Sequence, residues 1–169
     1  MVGHQYAKDI CLVEQMIVNT FNLLFEFDKL DDCQRLIDPS IKMFTQIIAD
    51  KKKGQVSEQL KNKSTSNVYE SERNPILPLE FAYSTSLILK AILNLCQSSQ
   101  NQLSLAESDT LLELSFQWVE KFESHMRDFG YKQLHLELLL RYTKMLYERI
   151  LGIVIQNMES VTIAKKCLT

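Results

Sequence analysis

Four glycines and three prolines in 169 residues leave this chain few places to reverse direction. Strands need frequent turns, and turns draw on Gly, Pro, Asn and Asp. Leu, Ile, Lys, Glu and Gln are abundant here instead, a mixture that favours helix. The fold class read from this is all-α: a helical bundle of about five main helices, with long antiparallel helices, or a degenerate fragment of a helical repeat. A chain with 46% hydrophobic and 24% charged residues is an ordinary globular mixture. At this length it can bury a full core without disulfides or metals. A single helical domain over 1–169 is expected, with a flexible internal loop at 54–74.

Apolar periodicity places the helices. Tyr6, Ile10, Val13, Ile17, Phe21 and Leu24 recur at three- and four-residue steps, which predicts a helix over about 6–27. Leu12, Met16 and Leu23 widen its stripe, so it should touch neighbours on more than one side. Asp31 is placed to cap a second helix, with Gln34 at its third position. Asp38-Pro39 then predicts a break with Asp38 as a new cap and Pro39 at the first helical position, a kinked continuous helix being the alternative. The segment burying Ile41, Met43, Phe44, Ile47 and Ile48 should end in Lys51-Lys52-Lys53 and Gly54. Residues 54–74 are polar and aperiodic and read as a mobile, dispensable connection, with at most a helical turn near 56–60.

A third helix is expected from about 75–78 to 97, with Phe81, Ile88, Ile92 and Leu95 on one face. Ser104-Leu105-Ala106-Glu107 has capping-box spacing and opens a fourth helix through Leu111, Leu112, Phe116, Trp118, Val119, Phe122 and Met126. Gly130 closes it through a positive φ, with Tyr131 near Met126. A fifth helix from 131 or 132 to about 158 follows almost at once, which forces an antiparallel hairpin. It would be ~40 Å long at ~1.5 Å per residue. Its stripe is Leu134, Leu138, Tyr142, Met145 and Leu146, and its end, 150–155, is apolar nearly all round. Residues 161–169 extend it or pack back. No repeat at tetratricopeptide, ankyrin or HEAT length carries matching residues.

Charge and cysteine usage narrow the class. The formal net charge of −2 is spread along the chain, unlike the basic stripe of a nucleic-acid binder. Cys11, Cys33, Cys96 and Cys167 form no C-x-x-C and read as reduced thiols of a cytoplasmic or nuclear protein. The N-terminus lacks a signal-peptide pattern, and no uninterrupted apolar run reaches the roughly 20 residues of a membrane span.

The chemistries that leave short motifs are not written here. His4, His125 and His135 lie in neither H-E-x-x-H nor E-x-x-H, so no transition metal is expected, although His125 and His135 flank a turn and could approach each other. Asp31-Asp32 begins like the D-D-x-x-D magnesium motif of helical prenyl-diphosphate enzymes, but Arg35 stands where the third Asp belongs. Glu120 and Glu123 read as a solvated flank. No glycine-rich phosphate loop and no G-x-S-x-G is present. No catalytic or cofactor residue is therefore assigned.

The expected function is a protein–protein interaction or scaffold module, a helical domain of a larger eukaryotic complex. Its partner is another protein, met through an exposed apolar helix face; no nucleic acid or small-molecule substrate is indicated. Candidate partner-binding residues are Trp118, Phe122, Ile150, Ile153 and Val154. The end of helix five is read two ways, as a buried central helix or as a face for a partner helix. Two alternatives stand beside this reading. One is a regulatory bundle with an apolar groove for an amphipathic helix, Bcl-2-like in architecture alone. The other is an enzyme whose site is assembled only in the fold.

Overall fold

The computed structural model describes residues 2–61, 76–100 and 103–167, with side chains described for 5–54, 76–100 and 103–158. Among these residues it is an all-α bundle of five helices: α1 (Val2–Glu26), α2 (Leu30–Lys61), α3 (Leu77–Ser98), α4 (Leu105–Phe129) and α5 (Gln133–Cys167). Neighbours in sequence run antiparallel. Between α2 and α3 the order is set by Lys52–Glu80, Asp38–Lys90 and Gln34–Gln97. Between α4 and α5 it is set by Arg149 on Ser108, Tyr142 on Ser115 and His135 on Phe122. This is the expected hairpin.

α3 is the axis, packed against each of the other four helices. Its side chains from Ala82 to Leu95 are all buried. A helix apolar on every side belongs in a core, and α3 is dressed for that position. Leu87, Ile88, Leu89, Ile92, Leu93 and Leu95 point around its whole circumference. The hydroxyls among them are satisfied locally: Ser84 donates to the Glu80 carbonyl and Ser86 to that of Ala82. By length and composition alone α3 is also long and apolar enough to cross a bilayer, although no uninterrupted apolar run spans it. In the bundle its surface is covered by protein.

The helix boundaries correct several expectations. α2 continues through Pro39 without the expected break, as the alternative of one continuous helix had it. Its buried stripe of Leu30, Cys33, Ile37, Ile41, Phe44 and Ile48 continues across the proline, which faces solvent. Tertiary burial thus outweighs the lost N–H, and water can serve the Arg35 carbonyl left without its partner. Asp38 caps nothing; it receives the buried Lys90 ammonium at 2.8 Å. Gly54 likewise ends nothing, since the helix runs on to Lys61, so only part of the expected 54–74 loop remains open. Residues 62–75 lie outside the described residues.

Asp31 is no N-cap either. Helix α2 starts at Leu30, which puts Asp31 and Asp32 in the first turn, where they face the positive helix end. The turn before it is closed by Asp28 at φ 54, with Lys29 N–H on the Leu24 carbonyl and Asp28 N–H on that of Phe25. This is a Schellman closure with Asp where Gly is usual. The capping box at Ser104 forms as read, both reciprocal bonds being present. At its other end α4 stops at Gly130, whose N–H bonds the Met126 carbonyl. Tyr131 packs near Phe122, ring centroids 6.0 Å apart.

Gly130 has φ 77 and ψ 169, a region essentially reserved for glycine. A Cβ there would meet no neighbouring atom within 4 Å, so the cost of an alanine is one of backbone conformation. Gly130→Ala should already lose on the order of 1–3 kcal/mol, and Gly130→Val somewhat more because it is β-branched. Thermal unfolding of the three proteins checks the order Gly, Ala, Val. Equal midpoints would show that the α4–α5 junction imposes no such conformation.

Candidate functional site

Two kinds of feature stand out: a buried acid–base cluster at one end of the bundle, and apolar stripes left in water on its outside. The cluster draws on all five helices or their caps. Glu14 of α1 and Glu80 of α3 are almost wholly buried, as is His135 of α5. A carboxylate at such a position needs a positive or donating partner, and each has one.

Around Glu14 the partners form a closed ring. The Lys132 backbone N–H donates to His135 Nδ1 at 3.3 Å, which makes His135 the neutral tautomer with its proton on Nε2. Nε2 lies 3.1 Å from Thr85 Oγ1 and 3.3 Å from the Phe81 carbonyl. Thr85 Oγ1 donates to Glu14 Oε1 at 2.5 Å. The Lys132 ammonium then closes the ring on Glu14 Oε2 at 3.3 Å, while lying 4.1 Å from the centre of the Phe81 ring. Burial pushes the His135 imidazole below its ordinary range; the Phe81 carbonyl and Glu14 oppose this.

The second pair is Glu80 with His125. His125 Nε2 is 2.8 Å from Glu80 Oε2, and Lys52 Nζ is 2.9 Å from Oε1. Neither contact is aligned as a hydrogen bond. Lys52 supplies the positive charge here, and the short distance places His125 beside the same carboxylate as a partner that is charged only when protonated. The His125 ring is held edge-on by Tyr83 and against Phe129, centroids 5.1 Å away in both cases. Burial lowers its pKa, with Glu80 opposing. The two histidines thus serve two different carboxylates rather than one shared ligand. Among the described residues no three His, Cys, Asp or Glu side chains gather as a metal site. Burial also raises the thiol pKa of Cys33 and Cys96, which keeps both protonated and poorly nucleophilic.

The surface candidates fare unequally. Phe122 is fully buried against Tyr131 and His135 and offers no surface, so it leaves the candidate set. Trp118 is half-buried, with Lys121 Nζ 5.0 Å over its ring. Ile150 and Val154 are exposed and Ile153 half-exposed. The end of α5 is therefore not the central helix; α3 holds that place. Trp118 sits level with about residue 139 of α5, so the structure does not bring it to the 150–154 stretch.

Larger features left fainter marks in the sequence and were not anticipated from it. On α5, Leu136, Leu140, Tyr147 and Leu151 are exposed and run in line with Ile150 and Val154. Their signal was the seven-residue step Leu140, Tyr147, Val154. On α1 and the turn that follows it, Leu12, Met16, Leu23 and Phe27 form a stripe opposite the buried Ile17, Val18 and Phe21. α1 does meet more than one neighbour, α2 and α3, as its broad stripe predicts, but Leu12, Met16 and Leu23 are not the side chains that meet them. The buried Glu14 also had a signal, a carboxylate between Ile10, Val13 and Ile17 on the core face. Comparison with protein-family models, curated proteins and solved structures finds no match to this chain.

The ring can be tested at its shared hydroxyl. Thr85→Val keeps the side-chain shape but removes the oxygen that Glu14 and His135 both use. A decrease of about 1–3 kcal/mol in urea unfolding is expected, the range for a buried polar group left unpaired. Unchanged stability would mean Glu14 is served without Thr85. The pH dependence has a definite sign. Both histidines are held below their ordinary range when folded, whereas the unfolded chain takes up protons near pH ~6.5. Below that pH the unfolded state binds more protons, so stability is complete above it and falls on acidification. Urea midpoints at mildly acidic pH should lie below those at slightly alkaline pH, and His135→Gln should shrink the difference. A flat profile in the wild type would contradict the assignment.

Proposed function

We propose that this chain is a protein-interaction or scaffold module that meets its partners through the outer faces of α1 and α5, as a helical part of a larger assembly. The observation that carries this reading is the pair of apolar stripes turned to water. On α1 and the turn that follows it these are Leu12, Met16, Leu23 and Phe27; on α5 they run from Leu136 to Val154. Single exposed apolar residues are ordinary on any protein, but lines of them at helical spacing on two helices mark a surface that gains from being covered. The cluster of Glu14, Glu80, His125 and His135 fits the same reading as internal scaffolding. Its carboxylates are spent on partners inside the bundle, and it fixes the helices that carry the stripes.

The test is affinity capture with the whole chain, comparing wild type with Leu12→Ser/Leu23→Ser on α1 and Leu140→Ser/Val154→Ser on α5. Recovered proteins are quantified by mass spectrometry. Leu12, Leu23, Leu140 and Val154 are all exposed, so each substitution should change the unfolding free energy by no more than about 0.5 kcal/mol. At least one protein should be recovered by wild type and absent when one stripe is altered. Identical recovery from all three baits would contradict the reading.

A further inference from the structure

α5 carries two lines of side chains in seven-residue steps. The inner line, His135, Tyr142 and Arg149, meets Phe122, Ser115 and Ser108 of α4. The outer line, Leu140, Tyr147 and Val154, lies on the opposite side of the helix with Leu136, Ile150 and Leu151 beside it. α5 therefore turns a more apolar line to water than it turns to α4. Leu140 is 71% and Tyr147 66% exposed. Apolar residues sustained at a seven-residue step are the seam by which one helix packs along another.

We propose that the occupant of this seam is a second copy of this chain, α5 against α5 in antiparallel order. This rests on the interaction reading and names the partner for one of its two stripes. Charge supports a self-complementary pairing. Glu137, Lys144 and Glu148 flank the seam, all exposed and alternating in sign, so nothing steers it toward a uniformly acidic or basic partner. If two copies cross at Tyr147, Leu140 of each meets Val154 of the other, and Lys144 comes within about half a helical turn of Glu148. Area supports it as well. Covering six apolar side chains on each copy, each about half in water, removes on the order of 1,200 Å² in total, within the range of specific interfaces. The seam lies on the face of α5 opposite the side chains that meet α4.

Sedimentation equilibrium of the 169-residue chain across the micromolar range tests this. A reversible dimer is expected. Leu140→Glu should weaken it by roughly tenfold or more, as expected for a charge set into an apolar contact, and Leu12→Glu on α1 should not. Far-ultraviolet circular dichroism checks that the variants remain folded. Lys144→Glu and Glu148→Lys alter only the exposed flank; each should weaken the dimer, and the double exchange should restore it. A wild-type monomer throughout the range would overturn the proposal, as would a dimer indifferent to Leu140→Glu. Failure of the double exchange to restore association would overturn the antiparallel order. A monomeric chain that still fails to capture a protein once the α5 stripe is changed would remove the second copy as occupant and leave the interaction reading standing.

Discussion

A helix covered on every side can present no charge to water, and the bundle is organised around meeting that requirement for α3. Its apolar residues and back-bonded hydroxyls need only close packing. Its ionisable residues need partners from elsewhere, and each partner fixes a neighbour. Lys90 reaches Asp38 of α2; Glu80 gathers Lys52 of α2 and His125 of α4. Thr85 links Glu14 of α1 to His135 of α5. Apolar burial supplies most of the driving force for collapse, but it is non-directional. The polar links add register, because removing one partner strands a buried group and costs far more than the pair gains.

This division explains what could be read from the chain alone. The all-α class, the five helices, the Ser104 capping box and the positive φ of Gly130 all rest on local rules of period and backbone sterics. The failures are tertiary. Asp38-Pro39 reads locally as a helix start, yet the stripe from Cys33 to Phe44 buries enough apolar surface to carry α2 across it. Asp28 closes α1 in a conformation that sequence assigns to Gly. Which helix becomes the axis was likewise not legible. The end of α5 and the middle of α3 are both strongly apolar, and α3 differs by small Ser and Thr side chains, which let neighbours approach on all sides. The buried pairs join residues as far apart as Glu14 and Lys132, beyond any local pattern.

The same helices face both ways. α1 and α5 anchor the polar ring with their inner faces, through Glu14 and His135, and carry the exposed stripes on their outer faces.

Everything else in the bundle depends on α3 as its structural axis. Native-state hydrogen exchange of the whole chain, followed amide by amide, measures this directly. The amides of α3 between Ala82 and Leu95 should exchange only through global unfolding, with an opening free energy equal to the stability from urea unfolding. Those on the outer faces of α1 and α5 should open more readily. Exchange in α3 through smaller local openings, faster than in α1 or α5, would contradict the account.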